Sequence, residues 1–227
     1  MEKQKKRKLK KRYWLLLDLA IVVVVFILLL YKPAHYNPDK LGGAGENSKQ
    51  VSPYLTHELS PQFYNGVQRG EPFELVVTES GVNDIIRRSR WPKESGSVRF
   101  SAPEVLFMAD GIMLRTTANI KGVEFVVTFV INPIIYQDGL LNLKVETVKV
   151  GAMNITLLAK IIARRMYQQQ LAGSPIDTEQ LSVKVAASLL NDEPFEPVFN
   201  IEDKKVRAEK ITIEKQRLII HIVPVSG

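Results

Sequence analysis

The chain has 227 residues, 45% hydrophobic and 24% charged, with no cysteine and a formal net charge of +7. Eight of its 31 basic residues but only Glu2 of its 24 acids fall within residues 1–12, so acids and bases balance over the rest. This excludes the basic footprint of a nucleic-acid-binding domain. The lack of cysteine excludes disulfide frameworks, thiolate metal sites and cysteine nucleophiles.

Residues 1–12 form a basic tail, directly followed by YWLLLDLAIVVVVFILLLY from Tyr13 to Tyr31, in which Asp18 is the only charge. At about 1.5 Å per residue this stretch matches a hydrocarbon core of roughly 30 Å and predicts a transmembrane helix over 13–31. The apolar run is longer than a usual signal core. Leu30-Tyr31-Lys32-Pro33 has no small-x-small cleavage site, so the span reads as an uncleaved anchor. The tail's charge places the N-terminus in the cytoplasm. The expected location is the inner or cytoplasmic membrane, single-pass, with the C-terminal domain periplasmic or extracellular. Asp18 admits two readings: an acid near the interface beside Lys11 or Arg12, or a polar contact with a partner membrane helix.

Residues 32–70 read as a linker, broken by Pro33, Pro38, Pro53 and Pro61 and by the flexible run Gly42-Gly43-Ala44-Gly45. A short helix is expected near 60–68, with Ser60 as its cap and Pro61 at the first helical position. The extracytoplasmic domain then occupies 71–227. Phe73 to Val77 alternates as a strand. Thr78-Glu79-Ser80-Gly81 opens a helix with a cap and a first-turn acid. Along it Val82, Ile85 and Ile86 share one face, and Asn83, Asp84, Arg87 and Arg88 are expected to face water.

Ser97 to Val150 reads as a four-stranded antiparallel meander: Val98 to Met108, Ile112 to Ile120, Val123 to Tyr136 and Leu140 to Val150. Asp110-Gly111 and Asp138-Gly139 are hairpin signals, because the turn needs positive φ. Val123, Phe125, Val127, Phe129 and Ile131 give the third strand an almost wholly apolar face. A long helix follows from Ile155 to about Leu171, capped by Asn154 and stopped by Gly173-Ser174-Pro175. A second helix starts at Asp177, with Gln180 completing a capping box, and ends near Leu190. A hairpin of Lys205 to Ile213 and Arg217 to Val223 closes the pattern.

No catalytic signature stands out. His35, His57 and His221 lack metal-ligand spacing, no HExxH or GxSxG is present, and the Gly42–Gly45 run lacks the ending of a phosphate loop. Neither cofactor nor metal is expected, and the chain reads as a non-enzyme. What stands above background is apolar surface. Phe107, Met113, Phe125, Val127, Phe129 and Ile131, with Leu158 and Ile162 of the long helix, fit either a filled core or a groove for an acyl chain.

From about Phe73 to Gln169 the chain resembles the YpmS-like family of membrane-anchored bacterial proteins, and more distantly LmeA-like and tubular lipid-binding (TULIP-type) domains. The resemblance rests on Phe73-Glu74-Leu75-Val76-Val77-Thr78-Glu79-Ser80-Gly81-Val82-Asn83-Asp84, on the two Asp-Gly hairpins, and on Val148 to Ile155 leading into the long helix. It implies an antiparallel sheet curled around a helix with an apolar interior suited to lipid, and it transfers no functional residues.

The expected fold is therefore α+β: an N-terminal transmembrane helix, then an antiparallel β-sheet curled around a long amphipathic helix. The expected function is binding or transfer of a lipid or other apolar envelope component. The alternative is a non-enzymatic envelope assembly or scaffold protein acting through protein–protein contacts. The expected partners are the lipid bilayer, a lipid or acyl chain, or an envelope protein, and no nucleic acid.

Overall fold

The computed structural model describes residues 2–34, 36, 51–109, 111–173 and 180–225. Helix α1 (Glu2–Leu29) is followed by two antiparallel sheets with helices packed on them.

The expected spanning helix is corrected. Among the described residues, no helix is long and apolar enough to cross a membrane. The apolar part of α1 ends at Leu29, short of Tyr31. Measured from Tyr13 it is about 25 Å long, against roughly 30 Å of hydrocarbon. The end is fixed by the fold: the Leu28 carbonyl accepts the Ala152 N–H at 2.8 Å. Gly151, at φ +58, lies against the Leu28 and Leu29 carbonyls where a Cβ would collide. Single-pass anchoring in the cytoplasmic membrane with an exported C-terminal domain rested on that span and is not supported. Asp18 is exposed on α1. Beyond the helix, Lys32 pairs with Glu124 at 2.7 Å. Buried Tyr36 bonds the Thr117 hydroxyl at 3.1 Å, with Arg115 over its ring.

A π-helical segment (Tyr54–Leu59) runs straight into α2 (Ser60–Arg69). Ser60, expected to cap α2, is instead interior: its backbone is helical and its N–H bonds the Leu55 carbonyl. Pro61 follows directly and has no N–H to donate to the preceding turn, at the point where the π-helical segment gives way to α2. Strand β1 (Phe73–Thr78) leads into α3 (Glu79–Arg88), and the Thr78 hydroxyl accepts from Gly81 N–H at 3.2 Å as the sequence implies. Asn83 and Asp84 are only partly exposed, and their side chains are bonded within the fold. The Asn83 amide bonds both backbone groups of Val105, at 2.7 and 2.8 Å, while Glu79 accepts the Phe107 N–H at 2.7 Å. One helical turn apart, they cover an open strand edge. Asp84 accepts from buried Ser52 and from Arg88.

The larger sheet has seven strands: β2 (Lys93–Ser95), β3 (Val98–Phe100), β4 (Glu104–Met108), β5 (Gly111–Ile120), β6 (Val123–Ile135), β7 (Leu141–Val150) and β8 (Met153–Asn154). The strand expected over 98–108 is two strands, both on the same edge of β5. Pro103 has no N–H to donate, and Ser101 bridges the break by accepting the Thr117 N–H at 2.9 Å. Asp110 lies outside the described residues. Lys121 and Gly122 both have positive φ, which makes the β5–β6 hairpin tight.

Helix α4 (Thr156–Gly173) starts where expected: the Asn154 carboxamide accepts the Thr156 N–H at 3.0 Å. Helix α5 (Leu181–Asn191) has Gln180 itself at the N-cap without a side-chain bond, and Asp177, Ser174 and Pro175 lie outside the described residues. The sheet does not curl around α4. Leu157 is 82% exposed, and Leu158, Ile161, Ile162 and Met166 are exposed with it.

The smaller sheet comprises β1, β9 (Val198–Ile201), β10 (Lys204–Glu214) and β11 (Arg217–Pro224), in the order β1-β11-β10-β9. Phe73 thus pairs with Ile222 across most of the chain. Val67 of α2, Leu75, Val206 and Ile222 form its core, closed by Leu59, Phe63 and Phe73. The β10–β11 turn links the two sheets, because Gln216 N–H donates to the Phe107 carbonyl and Gln216 C=O accepts from Glu79 N–H.

Candidate functional site

A cleft opens between the larger sheet and the helix pair. Its floor is Leu114 of β5, Phe129 and Ile131 of β6, and Val145 and Val148 of β7; its walls are Ala159, Lys160 and Ala163 of α4 and Leu189, Leu190 and Asp192 of or beside α5. The cavity is about 270 Å³. Cross-strand register places Leu114 opposite Phe129, and Phe129 opposite Val148. Side chains on one face of a sheet recur every second residue, so Val145 and Val148 should point to opposite faces. A bulge resolves this: β7 carries one extra residue, Glu146, where Val130 pairs with Thr147 and Ile131 with Val145. Both valines thereby reach the cleft.

The helices are placed by polar ties. Thr156 Oγ1 accepts the Val148 N–H at 2.8 Å, which seats the start of α4 on β7. Ser188, fully buried, accepts the Leu143 N–H at 2.7 Å and donates to Asn142 Oδ1 at 3.1 Å, which seats α5. Ala159 and Ala163 are one turn apart on α4, and their small side chains leave the space between helix and sheet open. The charged residues of the cleft, Lys160 and Asp192, face each other, Nζ to Oδ2, at 3.5 Å, and Arg164 Nη2 reaches the same Oδ2 at 3.5 Å. Asp192 is fixed in the left-handed region at φ +57 as it caps α5. A second, more polar cavity lies beyond α5 by Tyr167, Glu193 and Phe195. Burial, and then repulsion from Glu193, push the Tyr167 phenol above its ordinary value of 10.0.

Of the residues expected to line a groove, Phe129 and Ile131 line the cleft. Phe125 and Val127 lie on the same strand face, farther along β6, and do not line it. Phe107 is buried in β4, and Met113 bonds Arg115 on the other face of β5. Leu158 and Ile162 are exposed on the outer side of α4. Val145, Val148, Lys160 and Asp192 were missed. The first two are an apolar pair three residues apart, a spacing that puts them on opposite faces of a regular strand. For the charged pair the sequence carries no signal.

Among the described residues, no group of three or more His, Cys, Asp or Glu is placed to hold a metal. Ser52 and Asp84 are hydrogen bonded, but Asp84 also binds Arg88 and the pair ties the π-helical segment to α3. No protein-family model, curated protein or solved structure matches this chain.

Proposed function

We propose that the protein binds the apolar chain of a lipid or similar amphiphile in the cleft between β5–β6–β7 and the α4–α5 pair, as a binding or carrier protein. One observation carries the reading: the cleft is walled by aliphatic and aromatic side chains, with charge confined to Lys160 and Asp192. Its volume of about 270 Å³ is near the lower end of small-molecule sites, about 300–1,000 Å³. Removing acyl surface from water there contributes roughly 25 cal/mol per Å². No covalent step is needed, since shape and hydrophobicity suffice to hold such a ligand.

The test uses N-phenylnaphthylamine, a neutral fluorophore that brightens in apolar sites. The wild-type chain should bind it saturably, and Ala163→Phe, which fills the cleft, should remove that saturable component with an unchanged circular dichroism spectrum. Equal fluorescence from both proteins sinks the proposal.

A further inference from the structure

The geometry points to a single-chain amphiphile with an anionic head as the ligand, the head held by Lys160 and Arg164 in competition with Asp192; this rests on the cleft being the binding site. The basis is the charge at the cleft's polar edge. Two cations, one turn apart on α4, converge on one carboxylate oxygen, each at 3.5 Å. That distance is longer than a charge-assisted hydrogen bond of about 2.7–2.9 Å. One carboxylate oxygen therefore serves two cations loosely.

The placement suits an amphiphile. The Lys160 stem lines the apolar wall while its ammonium is part exposed, an arrangement that puts the charge where an apolar chain would end. Arg164, about half exposed, adds a guanidinium fork able to grip a carboxylate or phosphate. The Asp192 backbone is held in place, because its N–H caps α5 on the Ala187 and Ser188 carbonyls. An incoming anion thus competes with one carboxylate for two cations. A neutral head gains nothing from that competition, and a cationic head would lie beside two cations. The shared chemistry covers fatty carboxylates and single-chain phosphates, and the assay separates them.

The experiment measures displacement of N-phenylnaphthylamine from the full chain by decanoate, decyl phosphate, decanol and decyltrimethylammonium. Decanoate or decyl phosphate should displace it at about tenfold lower concentration than decanol, and whichever anion is better identifies the head. In Lys160→Met the two anions should lose their advantage over decanol, each compared on the same variant. Asp192→Asn keeps a residue that tolerates the left-handed conformation and should strengthen displacement by the anions several-fold. Equal displacement by decanol and both anions in the wild type, or weaker anion displacement in Asp192→Asn, overturns the inference and leaves the apolar cleft standing. If no amphiphile displaces the fluorophore from the wild type, the cleft reading falls and the inference with it.

Discussion

The two sheets solve the same problem differently. Each has an apolar face covered by helix. On the smaller sheet α2 closes the core, and Val67, Val206 and Ile222 are almost wholly buried among phenylalanine and leucine. On the larger sheet, Ile131, Val145 and Val148 are also buried, but the helix above them presents Ala159 and Ala163, and a cavity remains. Large side chains facing large ones fill space, whereas alanines facing a bulged strand leave it open. An excess of apolar residues therefore says little by itself about whether a groove exists. The residues opposite them decide it.

The sharpest way to break this contrast is one substitution made in both places. Ile222→Ala should cost about 4 kcal/mol, because its close-packed surroundings cannot collapse onto the void. Ile131→Ala should cost only about 2 kcal/mol, because its side chain already borders empty space. Urea unfolding measures both; equal losses would mean that the second core is as full as the first. Ser188→Ala comes next, at about 1–3 kcal/mol, since it leaves the Leu143 N–H buried without its acceptor. Ala163→Leu should act in the opposite direction, raising stability by about 0.5–2 kcal/mol as a cavity-filling change, while the corresponding change at well-packed Ala208 should destabilise.

The smallest effect concerns the tie between the π-helical segment and α3. The Ser52 hydrogen bond holds the Asp84 carboxyl below its ordinary value of 3.8, against the upward push of burial and with help from Arg88. A carboxyl with a lowered folded pKa stabilises fully above the unfolded value and loses that contribution as pH falls through the folded one. Ser52→Ala should therefore narrow the stability difference between neutral pH and pH below 3.8, as read by thermal unfolding at each pH.

Strands β5, β6 and β7 were legible because local chemistry specifies them: Lys121-Gly122 and Asp138-Gly139 turn the chain, and alternation supplies the faces. The pairing of β1 with β11 was not, because nothing in either strand's own residues encodes a partner so distant. The break at Pro103 is marked only by the proline itself, between two short stretches that both read as strand. Within the cleft, Phe129 and Ile131 could be read from the apolar face of one strand. Val148 could not, because a single bulged residue reverses the parity of everything after it. Lys160 and Asp192 carry charges, which in a sequence point outward. The apolar run from Tyr13 was plain, but its end was set by Ala152, far away in sequence.

The union of β1 with β11 has a consequence in time. At about 5–20 residues per second of synthesis, β1 emerges on the order of ten seconds before the strand it pairs with. Until then Leu75 and Val77 lack both their cross-strand partners and the core they later join. The larger sheet, whose hairpins close locally, can form during that interval, so the cleft beneath α4 and α5 can be shaped before the smaller sheet is complete. A nascent chain halted before Arg217 would display β1 as an unpaired apolar edge, which is the form of this protein most prone to aggregate.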